Sequence, residues 1–333
     1  MDDLPVVGLQ DGRVRLVPHS DEWSRLFAAE KQRLLVTLAP FMGSIVLDIQ
    51  HVGSTSIPGI PAKPIIDIGV AITDHEAARV TIEPLEQMGY VYLGEHEVPG
   101  RHFFYLGDAN TTGRTHHLHM LERTNPQWRQ QIGFRDYLTN HPATAAAYGA
   151  LKTELAARYA DDRPSYLEGK AAFITQVLRL AVPDRPLLWT TIQDVDSGLR
   201  FDFSQEVVDQ PVVLYHGPRL GAGGVHLLTA DRMSVYFEVT SFGVADLVES
   251  MAQFTAGLHE QFDMLALAEP QPTTLAGLPA QLVAFGWDAM RREAVFLQRG
   301  EELVRIIYDP RGPLNLAMLE TVVWPGPTEH LSA

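Results

Sequence analysis

The run His51-Val52-Gly53-Ser54-Thr55-Ser56, with Asp67 thirteen positions beyond Ser54, has the residue types and spacing to handle a phosphorylated ligand. Ile45 to Val52 reads as a strand that delivers Gly53 and three hydroxyl residues to a turn. Gly53 permits close backbone approach, and the amides and hydroxyls that follow can cradle phosphate oxygens. Lys63 adds a mobile cation nearby. Asp67 lies in a second apolar run, between Ile66 and Ile68, where a carboxylate is costly unless it is paired or holds a metal. Thirteen residues are enough chain to fold back and set that carboxylate beside the turn.

Further along, His117 and His119 alternate within a strand-like run and therefore share a face. If that face is the Asp67 face, two imidazoles and one carboxylate could bind Zn²⁺, Mn²⁺ or Fe²⁺. They could equally serve as a general base or as phosphate donors. Arg101 and Arg114 could clamp an anionic substrate bidentately. Each group also has a plainer reading. Gly53 to Ser56 could be a simple polar turn, and Asp67 a carboxylate bonded to loop amides. His117 and His119 could be satisfied structural histidines, and the arginines could pair with Glu95 or Glu97. Lys170, one turn after Tyr166, reads as a helix-surface pair, and Asp136 beside Arg135 as a structural ion pair.

The block from Gly53-Ser54 through Asp67 resembles the nucleotidyltransferase superfamily pattern of Gly-Ser, a spacer, then an acid between apolar residues. More closely, Gly53-Ser54-Thr55-Ser56-Ile57-Pro58-Gly59 followed by Ala62-Lys63-Pro64-Ile65-Ile66-Asp67-Ile68 resembles the GrpB family. So do Pro99 to Phe104, Arg114 to His119, Phe134 to Leu138 and Tyr166 to Lys170, over about residues 13–181. The resemblance implies a nucleotidyltransferase-like fold. It also implies Ser54 on terminal phosphates, Asp67 on a divalent metal (Mg²⁺ or Mn²⁺, with Zn²⁺ open), and transfer of a nucleotidyl group from a nucleoside triphosphate. The sequence departs from the wider pattern at Gly69, where a second acid is usual. Three prolines soon after Gly53 also exclude a long helix behind the turn.

The elements that must position these residues read as an α+β fold. An amphipathic helix runs from an N-cap at Ser20 to about Leu38, after a short β-like run at Val14 to Val17. Strands are expected at Ile45–Val52, Pro64–Ile72, Tyr90–Leu93, Phe103–Leu106 and His116–Leu121, with a helix at Ala77–Met88. Helices at about 126–139, 142–159 and 165–181 form a C-terminal cap, the first two opened by proline. Residues 1–182 make this mixed-sheet domain and 183–195 a linker marked by Pro183 and Pro186. Residues 196–333 make a second domain with a mainly antiparallel sheet, loosely resembling PsbP-type α/β sandwiches. Its glycine-rich stretch from Gly217 to Gly224 lacks a Gly-Lys-Ser/Thr ending and reads as a loop.

Charge narrows the partners. Residues 1–183 hold 17 Lys and Arg against 21 Asp and Glu, whereas 184–333 hold 9 against 20 and no lysine. The second half would repel a polyanion, which argues against nucleic acid and leaves a small phosphorylated ligand for the first half. A protein partner is the natural role for the acidic domain. The 333 residues include no cysteine, excluding disulfides, thiolate metal sites and a catalytic thiol. No stretch approaches the apolar length of a membrane span, and the expected location is the cytoplasm.

Overall fold

The computed structural model describes residues 7–8, 14–108, 113–183, 190–193, 198–203, 212–216, 223–229, 236–244, 246–262, 264–287, 290–300 and 302–324. The chain divides into two compact units, 1–184 and 185–333.

In the first unit, α1 (Glu22–Thr37) precedes β1 (Val46–Val52) and β2 (Ile66–Ile72). Then come α2 (Ile82–Gln87), β3 (Val91–Tyr92), β4 (Arg101–Asp108) and β5 (Gly113–Glu122). The five strands form a mixed sheet in the order β1-β2-β5-β4-β3. β2 and β5 run parallel and the other pairs antiparallel. The two-residue period of β2 divides its side chains cleanly. Ile66, Ile68, Val70 and Ile72 join Phe104, Leu118 and Met120 in a core closed by Trp23, Leu34 and Leu38 of the α1 region. Asp67, Gly69 and Ala71 face the other way.

That second face is covered by the helices of the cap: α3 (Pro126–Asn140), α4 (Pro142–Arg158), α5 (Arg163–Gly169) and α6 (Ala171–Ala181). α3 packs Trp128 and Ile132 with Leu47, Ala71 and Leu121. Ile57 and Ile60, just after the Gly53 turn, are buried among Leu138, Tyr148, Phe173 and Val177 of the cap. Burying two such side chains contributes about 3–6 kcal/mol, and it ties the turn to the helices above it.

Local expectations are corrected at four places. Val14–Val17 is no strand; only Val17 makes a bridge, to Ala62. The N-cap of α1 is Asp21, while Ser20 Oγ accepts from the Glu22 amide at 3.3 Å. The helix expected over 77–88 opens as a 3-10 helix, Ala77–Thr81, before α2 begins. The single helix expected over 165–181 is two, parted at Lys170. A Cβ on Gly169 would stand 2.5 Å from Leu155 Cδ2, so a larger residue there would displace the Leu155 side chain.

The second unit holds the hairpin β6 (Thr190–Gln193) and β7 (Arg200–Phe203), the first strand lying inside the segment expected to be linker. Then follow β8 (Val212–His216), β9 (Gly223–Thr229), β10 (Tyr236–Val244), α7 (Leu247–Gln261), β11 (Ala266–Leu267) and β12 (Gln271–Leu275). β13 (Leu278–Gly286), β14 (Arg292–Arg299), β15 (Glu302–Tyr308) and α8 (Pro313–Glu320) complete it. The large sheet is antiparallel, ordered β11-β13-β14-β15-β10-β9-β8, with β12 added on β13. β15 is central, as its two apolar faces lead one to expect, and α7 packs Met251, Phe254 and Leu258 on Phe285 and Phe296. The sequence pattern points to strands at Val212–Tyr215, Gly224–Thr229, Ser234–Val239, Ala280–Trp287, Arg292–Arg299 and Glu302–Tyr308, and not to β6, β7, β11 or β12. Residues 217–222 of the glycine-rich stretch lie outside the described residues. Among the described residues no helix is long and apolar enough to cross a membrane.

Candidate functional site

Antiparallel pairing of β1 with β2 sets Val52 opposite Asp67, so the chain leaves β1 at Gly53 directly beside that carboxylate. Gly53 has φ +70°, and a Cβ there would stand 2.3 Å from Asp67 Oδ2. Only glycine fits both the backbone and the space. Ser54–Ser56 then forms one 3-10 turn, in keeping with the prolines behind it.

The parallel register places Asp67 beside His117 and Gly69 beside His119. Asp67 Oδ1 lies 3.2 Å from His117 Nδ1 and 3.7 Å from His119 Nε2. Burial works to raise the Asp67 pKa. The hydrogen bond from His117 and the nearby His119 ring outweigh it and hold the carboxyl below the usual carboxylate range. His119 is pushed down, chiefly by burial and against the pull of Asp67.

Arg101, 8% exposed, is committed to structure. Its Nε donates to the Glu95 carbonyl at 3.2 Å and its Nη2 to the His96 carbonyl, while Nη1 lies 3.3 Å from His119 Nδ1. A guanidinium only donates, so Nδ1 of His119 is the lone-pair nitrogen and Nε2 carries the proton facing Asp67. Arg101 is thus a brace for His119. Arg114 stacks on Tyr105, with 4.6 Å from its guanidinium carbon to the ring centroid. It stands three residues before His117, about 10 Å along the strand.

The three hydroxyls of the turn part ways. Thr55 Oγ1 donates to the Ile65 carbonyl at 3.2 Å and accepts from His51 Nε2 at 3.1 Å, closing the loop. Ser56 Oγ donates to the Gly53 carbonyl at 2.6 Å. Ser54 lies near enough to Tyr148 of α4 to favour its ionised form, against the burial that raises the phenol's pKa. Of the expected phosphate groups, Ser54 is the hydroxyl whose neighbour comes from the cap side. Lys63 Nζ lies 5.5 Å from the Tyr166 ring centroid.

One carboxylate and two imidazoles, each offering a ligand atom within 4.8 Å of the others, fit a divalent cation. His117 Nε2, buried and without a hydrogen-bond partner among the described residues, supports that fit. His119 joins such a donor set once its Nδ1 is released from Arg101, because a metal-bound imidazole donates from its other nitrogen.

Three residues near the site were not anticipated in the sequence. Trp128 Cζ3 lies 3.0 Å from where a Cβ of residue 69 would stand, and Gln131 Oε1 lies 3.6 Å from it. That Gln131 oxygen is buried without a hydrogen-bond partner among the described residues. Lys170, expected as a surface residue, is half-buried with its Nζ 5.2 Å from the Tyr166 centroid. Nothing in the local pattern of α3 or α5 distinguishes these positions; the packing of the cap on the sheet does.

A mixed sheet with a glycine-serine turn over a strand aspartate, capped by helices, makes the first unit an α+β domain. The family model described as GrpB protein matches residues 13–180, and the chain belongs to that family. The Glutamate-rich protein GrpB of Alkalihalophilus pseudofirmus is 39% identical over 175 residues, 52% of this chain and 98% of the relative. The crystal structure of conserved protein GrpB from Enterococcus faecalis is 34% identical, covers 50% of this chain and 96% of that one, and superposes with a TM-score of 0.45. Cid1 in complex with the UTP analogue UMPNPP matches at 16% identity over 58% of this chain and 62% of its own, with a TM-score of 0.35.

Proposed function

We propose that the first unit binds a nucleoside triphosphate or another small phosphorylated ligand together with a divalent cation, and transfers a nucleotidyl group to a small-molecule or protein acceptor. The observation that carries this reading is the convergence of Asp67, His117 and His119 beneath the Gly53-Ser54 turn. In this reading Asp67, His117 and His119 hold the cation, and Ser54 with the turn amides and Lys63 receives phosphate oxygens. The cation supplies charge neutralisation and Lewis acidity at the phosphate. Two imidazoles favour Mn²⁺ or Zn²⁺ over Mg²⁺, which prefers oxygen donors. Without the cation, His117 donates from Nδ1 to Asp67, which orients the ring. The protein is taken to be cytoplasmic, and the acidic second unit to recruit a protein partner.

A second reading, binding without transfer, is favoured by Trp128, which fills the space where a second carboxylate would extend from position 69. Thermal-shift titration of nucleotides with Mg²⁺, Mn²⁺ or Zn²⁺, wild type against Asp67→Asn, tests the common part. Joint stabilisation by cation and nucleotide, lost in the variant, supports it. Equal curves for the two proteins sink it. Release of pyrophosphate on adding acceptor mixtures then separates transfer from binding alone.

A further inference from the structure

The sheet order sets the groups of the candidate site in a row. β1 delivers the Gly53-Ser54 turn, β2 carries Asp67, β5 carries His117 and His119, and β4 carries Phe103. Register puts Val52 opposite Asp67, Asp67 beside His117, and His119 opposite Phe103. The Phe103 ring centroid lies 5.2 Å from that of His117 and 5.1 Å from that of His119. The turn and Phe103 therefore flank the imidazoles and Asp67 on opposite sides, three strand spacings or about 14 Å apart.

On the β4 side the row ends in a further ring. His96 stacks on Phe103 with centroids 4.8 Å apart and an interplanar angle of 10°. Phe103 is 3% exposed whereas His96 is exposed, so one face of this imidazole rests on a fixed ring and the other is open. Through Phe103, the His96 centroid is within about 10 Å of both site imidazoles. The backbone of His96 is held at φ +45°, a conformation that a non-glycine residue keeps only where its surroundings impose it. Arg101 helps impose it by donating to the His96 carbonyl, and the same guanidinium reaches His119. Binding of phosphate and cation gives this exposed ring no task. Flat heterocycles do, because bases stack on aromatic side chains, histidine among them.

Resting on the nucleotide reading above, we propose that the open face of His96 is the shelf for the ligand's base. The ligand is then a nucleotide, not a phosphorylated compound without a planar ring. Its phosphates lie at the Ser54 turn, its cation on Asp67, His117 and His119, and its base beyond β5 on the β4 side. An extended nucleoside triphosphate is long enough to cover this row, whereas a sugar phosphate stops short of its far end.

The test is calorimetric titration of the full-length protein with ATP and with tripolyphosphate, each in the presence of Mn²⁺. Wild type is compared with His96→Gly, His96→Phe and Asp67→Asn, with circular dichroism to establish folding. Glycine removes the ring and tolerates the positive φ, so its effect reports the ring and not the backbone. His96→Gly is expected to lose about tenfold in affinity for ATP, the scale of one base stacked on one aromatic side chain, and nothing for tripolyphosphate. His96→Phe is expected to keep most of the ATP affinity. ATP binding unchanged in folded His96→Gly, an equal loss for both compounds, or His96→Phe falling as far as His96→Gly overturns the shelf. If His96→Gly binds ATP like wild type while Asp67→Asn does not, the shelf fails and the nucleotide reading stands. If the His96 dependence holds but Asp67→Asn changes nothing, the cation reading fails and the shelf stands. Absence of binding by either compound to wild type overturns both.

Discussion

The ring of Trp128 stands where a side chain at position 69 would have to go: a Cβ built on Gly69 lies 3.0 Å from Trp128 Cζ3 and 3.2 Å from Val52 Cγ1. The position that commonly carries a second acid in nucleotidyltransferases is occupied here by an indole from the cap. Substituting Gly69→Asp therefore creates no second metal ligand. It is expected to cost about 1–3 kcal/mol through overpacking and the burial of a new carboxylate. Urea unfolding of the variant checks this; a stability equal to wild type would show that the indole yields.

Gly53→Ala is expected to be worse. The variant must hold an L-residue at φ +70° and set a methyl 2.3 Å from Asp67 Oδ2. A loss of more than about 2 kcal/mol follows from strain and clash together. Any stabilisation by nucleotide and cation should disappear with it, since relief of the clash displaces the carboxylate. Chemical denaturation with and without Mn²⁺ and nucleotide reads both effects.

Thr55 and Ser54 are adjacent hydroxyls with different work. Thr55→Val removes the bonds to Ile65 and His51 within a buried loop and is expected to cost about 1–2 kcal/mol. Ser54→Ala removes a hydroxyl beside Tyr148 and is expected to cost less stability, but to weaken ligand binding severalfold. Melting temperatures beside phosphate titrations distinguish the two. Matching profiles for both variants would refute the division.

His51 gives the fold a pH dependence. It stacks on Phe27 at 4.7 Å, and burial lowers its pKa from 6.5 to about 4 despite the pull of Asp67. The unfolded chain therefore binds a proton between those values that the folded one refuses. The contribution is complete above about pH 6.5 and falls away as pH drops toward 4. It amounts to about 2–3 kcal/mol. Asp67, held below the usual carboxylate range, adds its own loss only below about pH 4, the unfolded value. Stability measured from pH 7 to 4 should decline in wild type and flatten in His51→Gln. A slope unchanged by that substitution would assign the effect elsewhere.

The strands that build the first site follow patterns readable in the sequence, and so does the shared face of His117 and His119; that this is the Asp67 face follows from the parallel pairing of β2 with β5. β2 alternates Asp67 with isoleucines, and β5 places two histidines at the matching period. What the sequence could not show is what the cap brings. Trp128 and Gln131 belong to an ordinary-looking helix, and their approach to Gly69 depends on how α3 lies across the sheet. Lys170 sits at the break between α5 and α6, which the residues around it do not mark in the sequence. Thr55 and Ser56 look equivalent to Ser54 until their partners, Ile65 and Gly53, are known. In the second unit the missed strands are short, and β11 has only two residues, too few for any alternation.

Arg101 joins three things that are separate in the chain: the carbonyls of Glu95 and His96, and the ring of His119. His96 and Glu97 both sit at positive φ, so this loop is held against its own backbone preference, by the Arg101 guanidinium together with the Glu95 carboxylate on the Gly100 amide and the His96 ring on Phe103. Lifting the loop withdraws the donor from His119 Nδ1 and frees the imidazole to exchange its proton between nitrogens. The setting of His119 thus depends on the backbone of residues 95 and 96 as well as on the carboxylate beside it.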